Sequence, residues 1–444
     1  MRTRHLSYVA AVSAALALAY CGGSDNVNPS HTMSVPGISS AVVYSFDLGA
    51  VDPATDIYYV TDRTNKAIDV VNLKTGGISQ FKQSFAGCNS TVGTTTANPV
   101  PMPGCNTISG VWTVNNDASG PDGLDIVGNA LFVGDVNALW VLNKTTGAKL
   151  FKITIPSSPT GLRADEGCFD PVNHLYAIST PGADNPFMTI LDTTAFEATG
   201  ATPTIIATVI MDNPAGTASG GLEACVFDTG VGGTGKLFVN NDGNNNPAAP
   251  AGASRGEMDG IPTAALLALK PGPTTVQYTT LAGNSQFLLP DVVGQAGQCD
   301  PTGIALGPGN DIGAMCRTGT IGRSLNFLIL NKTTGAVTAT VAGGGGGDQI
   351  TYSATLNKWF LADSRHTDSG NSCGAGSTGC VLKPMLGIVD GTTHALSFIA
   401  NGNNSHSVAV DETLGVAITP FTNSSATGGG ADFPGGGINI FPVR

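Results

Sequence analysis

The chain has 444 residues, with 20 Lys+Arg against 32 Asp+Glu and a formal net charge of −12 at pH 7. Charged residues make up 12% of it, about half the ~25% of an average soluble domain, and 41% is hydrophobic. So few cations on an acidic chain exclude nucleic acid as a partner, because phosphate neutralisation needs clustered Lys and Arg; basic docking on anionic lipid is excluded for the same reason.

The first segment reads as an address. Arg2 and Arg4 precede Leu6–Tyr20 (LSYVAAVSAALALAY), an apolar or small run shorter than the ~20 residues a membrane helix needs. That is the layout of a secretory signal peptide. It ends at Leu18-Ala19-Tyr20-Cys21-Gly22-Gly23, which resembles a bacterial lipobox, with Tyr20 where a small residue is usual. The resemblance implies a signal peptide over 1–21, a lipidated Cys21 and a tether over 22–40. Membrane contact would then run only through the lipid. With no acidic residue directly after Cys21, it also implies an outer-membrane lipoprotein, facing the periplasm or the surface. The small-x-small run Ala17-Leu18-Ala19 leaves ordinary cleavage and free secretion open.

From residue 41 to 444 one pattern recurs. A short apolar strand runs into an Asp-Pro-like turn, and a second strand ends in Asp, Asn or Arg. A variable loop follows, then a third strand and a Lys-Thr-Thr-Gly-type turn. FDLGAVDPATDIYYVTD (46–62) with VVNLKTG (70–76), and LDIVGNALFVGD (124–135) with LWVLNKTTG (139–147), are clear copies. Five more units follow, opening at Asp165, Leu222, Thr302, Ile350 and His406. In the fourth, ALLALKPG (265–272) is expected as the third strand. Several short strands per unit, repeated with turn chemistry between them and no sustained helical period, mark a radial β repeat.

The units resemble the YVTN/NHL-type seven-bladed β-propellers of bacterial envelopes. The fold expected is therefore all-β, a seven-bladed β-propeller over 41–444 with no large helical part. The chain stops where the seventh unit's third strand should end, so the stretch around Met33–Ser40 is expected to supply the fourth and close the ring. The run Gly343–Gly347 has no following Lys-Ser/Thr and reads as a loop, so neither nucleotide nor flavin is expected.

Aligning the units on the turn after the first strand and stepping back five residues gives a column: Asp47, Asp122, Asp165, Glu223, Thr302, Asp348 and His406. Five of the seven are acidic and one is His, in a chain with 32 acids overall. Glu166 and Asp300 sit beside the column. In a propeller these positions ring one mouth of the channel. Like charges so close need a bound cation, raised pKa values or a wide solvated mouth. Calcium suits an oxygen-rich set, and the His admits a transition metal. Solvated structural acids and a cationic ligand remain the alternatives.

Loops after the second strands open on the same face. They carry Arg63, Arg317 and Arg365, whose forked donors suit a substrate carboxylate or sulfate, or else a nearby Asp. Three long loops, near 243–262, 366–384 and 421–435, offer room for a site. His406 and His366 are the histidines placed to move a proton or hold a metal.

Cys21 aside, eight cysteines remain, an even set suited to disulfides in an exported chain. Neighbour pairing gives Cys88–Cys105, Cys168–Cys225, Cys299–Cys316 and Cys373–Cys380. The contexts of Cys168 and Cys225 are parallel, which expects a clamp between two inner strands. Without a serine-hydrolase elbow, HExxH or dinucleotide fingerprint, two function classes stand. One is an envelope lipoprotein binding a small molecule, polysaccharide or protein on its top face, with or without a divalent cation. The other is a metal-assisted hydrolase or lyase, lactonase-like by fold analogy.

Overall fold

Runs of about six Val, Ile, Leu and aromatic residues, separated by turns that need an acceptor side chain, fold here into seven sheets of four or five strands, antiparallel but for one outer pair, beside a separate two-stranded hairpin, Cys105–Ile108 with Val111–Val114. The computed structural model describes residues 31–38, 43–87, 105–108, 111–114, 118–156, 162–212, 221–241, 256–289, 299–317, 325–368, 381–422 and 435–444. The sheets are the blades of a propeller. From the channel outwards, blade 1 runs Phe46–Asp52, Ile57–Asp62, Ala67–Asn72 and Gly77–Lys82. Blade 2 starts at Leu124–Val127, blade 3 at Gly167–Asp170 and blade 4 at Leu222–Asp228. Blades 5, 6 and 7 start at Pro301–Leu306, Ile350–Ser353 and Ala409–Asp411.

The recurring turn has a local cause. Asn143 Oδ1 accepts from the backbone N–H of Thr145 and Thr146, at 3.0 and 2.9 Å. Asn331 does the same for Thr333 and Thr334, and Asp390 for Thr392 and Thr393. Gly147 and Gly335 close their turns at φ 68° and 71°, a conformation glycine adopts without steric cost.

An N-terminal strand closes the ring, slightly earlier than expected. His31–Met33 pairs antiparallel with Gly437–Pro442, in the register His31↔Ile440 to Met33↔Ile438. Met33 and Val35 are then buried against Tyr44, Phe46, Ile438 and Ile440. The two ends of the chain thus share blade 7, which leaves no open edge between first and last units.

Blade 4 departs from the expected reading. Its third strand is Glu257–Pro262, drawn from the segment read as a long loop, and its fourth is Ser285–Leu288. The segment expected as a strand instead begins with the short helix Thr263–Leu267. Ala, Leu and Leu favour a helical turn over an extended edge, and no β-branched residue follows Thr263 there. Beyond it, Thr274–Gln277 pairs parallel with Thr204–Ile210 and becomes a fifth strand of blade 3. Among the described residues, the only other α-helix is Thr194–Thr199.

Two disulfides match their expected pairing. Cys168–Cys225 joins the inner strands of blades 3 and 4 at a Cα–Cα distance of 5.7 Å. Cys299–Cys316 ties the approach to blade 5's inner strand to the end of its neighbour, at 4.8 Å. Cys21, Cys88, Cys373 and Cys380 lie outside the described residues, so the lipobox and the pairings Cys88–Cys105 and Cys373–Cys380 do too. No helix among the described residues is long and apolar enough to cross a membrane.

Candidate functional site

The column of acids begins the inner strands, and half of it converges. Asp47, Asp122 and Asp165 bring one oxygen each to within 4.8 Å of one another, and all three side chains are buried. Arg63 fills the space between blades 1 and 2. Its Nε and Nη2 donate to Asp122 Oδ1 at 2.9 and 2.8 Å, Nη2 lies 2.8 Å from Asp47 Oδ2, and Nη1 donates to the Phe46 carbonyl. Arg163 places Nη2 2.9 Å from Asp165 Oδ2. Sequence reasoning missed Arg163. The signal available was an Arg two residues before a column acid, in a chain with few cations.

His406 completes this half. Its ring stacks on Phe46, with centroids 4.6 Å apart and planes 8° from parallel. Nδ1 faces the Asn404 carbonyl at 2.7 Å, and Nε2 lies 3.7 Å from Asp47 Oδ1. Burial opposes a charge on the ring, yet the Asp47 and Asp348 carboxylates raise its pKa above the ordinary value. Burial likewise resists ionising Asp47, but Arg63 and His406 hold it down at about 2. Asp165 goes the other way: burial lifts it to about 6 against the pull of Arg163. Three carboxylates thus face two guanidiniums and an imidazole inclined to protonate.

The other half is more open. Thr302 Oγ1 donates to the Gly347 carbonyl. Glu223 Oε1 lies 3.6 Å from Arg317 Nη2, and the Arg317 side chain is 24% exposed. Asp348 is half-buried, and its N–H donates to the His406 carbonyl at 3.0 Å. Arg365 is exposed, and no ion pair joins it to a described carboxylate. Partial desolvation by the surrounding protein and the nearby Arg317 charge lower its pKa, while Asp348, Glu223 and Asp300 pull the other way.

His366 is not part of this cluster. It sits against Phe398 of blade 6's outer strand, with Nδ1 3.4 Å from the Gly343 carbonyl, and burial lowers its pKa. Buried acids also occur away from the channel. Asp69 accepts from Tyr44 Oη and Gln80 Nε2, each at 2.8 Å, and burial lifts it to about 6. Glu257 and Asp259 share Asn241 and are lifted to about 9 and 7, first by burial. Asp69 was legible as a charged residue inside an apolar third strand (AIDVVN), whereas Glu257 and Asp259 fall in a segment that reads as a loop.

No protein-family model matches this sequence, and no curated protein matches it. Solved structures do. A chain of the mitotic checkpoint complex superposes with a TM-score of 0.53 at 11% identity, covering 97% of this chain and 99% of its own. The WD40 repeats of RRP9 give 0.53 at 10% identity, with 93% and 100% covered. Kuenenia stuttgartiensis hydrazine synthase gives 0.51 at 9%, with 88% and 94% covered. At such identities the likeness concerns fold alone, and the fold is a seven-bladed β-propeller of WD40-like shape.

Proposed function

We propose that this protein is an exported β-propeller that displays a binding face, anchored by lipid on Cys21 as an envelope lipoprotein of the YVTN/NHL type. The carrying observation is the contrast between its arginines. Arg63 is buried and committed to Asp47 and Asp122, whereas Arg365 stands exposed beside Arg317 at the same mouth. A ligand bearing a carboxylate or sulfate, such as an acidic polysaccharide or protein side chain, would relieve that crowding through forked hydrogen bonds. The two disulfides support export.

Binding is favoured over metal-assisted hydrolysis or lysis by the state of the ring. Arg63 and Arg163 already supply positive charge to Asp47, Asp122 and Asp165, so a calcium ion there would face two guanidiniums. His406 is stacked on Phe46, with Nδ1 on the Asn404 carbonyl and Nε2 3.7 Å from Asp47, which suits charge balance better than proton transfer. The test is titration of residues 22–444, which retain every described strand, with polygalacturonate, a sulfated glycan and their neutral counterparts. Saturable binding of the acidic forms, lost in Arg365→Ala and Arg317→Ala, supports the reading; equal binding by neutral glycans removes it.

A further inference from the structure

From the level of the ring downwards, the channel holds a cavity of about 420 Å³, within the usual range for small-molecule sites. Inner strands of six blades line it, and its charged lining residues are all acids: Asp125, Glu166 and Asp348. No Lys, Arg or His is among its lining residues. Glu166 is buried and its Oε2 has no hydrogen-bond partner. An uncompensated buried carboxyl of this kind costs free energy unless a ligand or proton satisfies it.

The acids stand at two levels. Glu166 follows the column position of blade 3 by one residue, and Asp125 follows that of blade 2 by three. Two residues of strand offset their backbones by roughly 7 Å along the channel. Asp125 accepts from Tyr176 Oη at 2.9 Å, which fixes it against the wall. Asp348 enters from blade 6 on the upper level.

We propose that the channel cavity binds a short linear diammonium ion, with one ammonium between Glu166 and Asp348 and the other on Asp125. A divalent metal fits less well. Among the described residues, the one trio of ligating side chains within 4.8 Å is Asp47, Asp122 and Asp165, which Arg63 occupies. An organic cation reaches separated carboxylates that cannot converge on a point.

Binding has a proton signature. The groups facing Glu166 are Asp165, Glu223, Asp348 and Asp47, with Arg163 beside Asp165; burial first, and then those acids, raise its pKa. An ammonium beside Glu166 favours its ionised form, so the O–H of each protonated carboxyl breaks and that proton leaves to buffer.

The experiment is calorimetric titration of residues 22–444 with putrescine at pH 7, in phosphate and in Tris, whose ionisation enthalpies differ. Saturable binding with net proton release, weakened at least ~10-fold in Glu166→Gln and in Asp125→Asn, is expected. Ala224→Leu, which fills the cavity and keeps its acids, should weaken it comparably. Absence of binding overturns the proposal, as do equal binding of 1,4-butanediol or displacement by stoichiometric calcium. If Glu166→Gln fails to fold, Asp125→Asn decides alone.

Discussion

Arg63, at the end of blade 1's second strand, donates twice to a single oxygen of Asp122, 59 residues later at the start of blade 2. Both side chains are almost wholly buried. The pair therefore acts as a charged rivet between neighbouring blades, and Asp47 and His406 extend it across to blade 7.

Breaking that rivet leaves a buried charge uncompensated. Arg63→Ala should cost about 3–5 kcal/mol, read as a fall in unfolding midpoint in urea. Arg63→Lys should not restore it, because an ammonium cannot reproduce the fork on Asp122 while keeping the Phe46 carbonyl. Recovery of most of the loss by Lys would reduce the contact to simple charge.

Arg365→Ala removes an exposed side chain without an ion pair to a described carboxylate. Its thermal midpoint should stay within ~1 °C of wild type while affinity for acidic glycans falls at least ~10-fold. A large loss of stability would instead make Arg365 part of the scaffold.

The protein should be most stable in mild acid. Asp69 and Asp165 are lifted to about 6, Asp259 to about 7 and Glu257 to about 9, in each case first by burial. The folded state thus binds more protons than the unfolded chain between pH 4 and 9, so stability falls as pH rises. The raised His406 acts in the same sense, its contribution being lost as pH climbs through its folded pKa. A melting temperature at least ~5 °C lower at pH 9 than at pH 5 is expected by calorimetry; a maximum near pH 8 would contradict these shifts.

Ring closure should depend on a short N-terminal strand. Deleting everything before Val43 removes His31–Met33 and the buried Val35, and bares Ile438 and Ile440. Such a chain should melt several degrees lower and associate through the open strand edge, measurable by light scattering.

Cys168–Cys225 clamps two inner strands beside the channel cavity. Replacing both cysteines by Ser should cost roughly 2–5 kcal/mol, with most of the loss already present in the single variants. An unchanged denaturation midpoint would mean that blade packing alone holds the two strands.

The blade count, the column and both described disulfides could be read along the chain: the Cys299–Cys316 pair follows from spacing within one unit, and the others from equivalent positions in successive units. Asp52, Asn143 and Asp390 set their turns through contacts two or three residues away, and such signals survive without tertiary structure. Blade 4 was misread where that locality failed: Lys270-Pro271 resembles the repeat's turn, yet the chain there leaves for blade 3. What the ring of acids does was likewise not local. Column spacing placed Asp47, Asp122 and Asp165 at one mouth, but only the folded ring shows that Arg63 and Arg163 supply their counter-charge. The physical reason is range: turn and strand preferences act over a few residues, whereas a buried carboxylate's state is set by whichever charge the fold brings within a few ångströms.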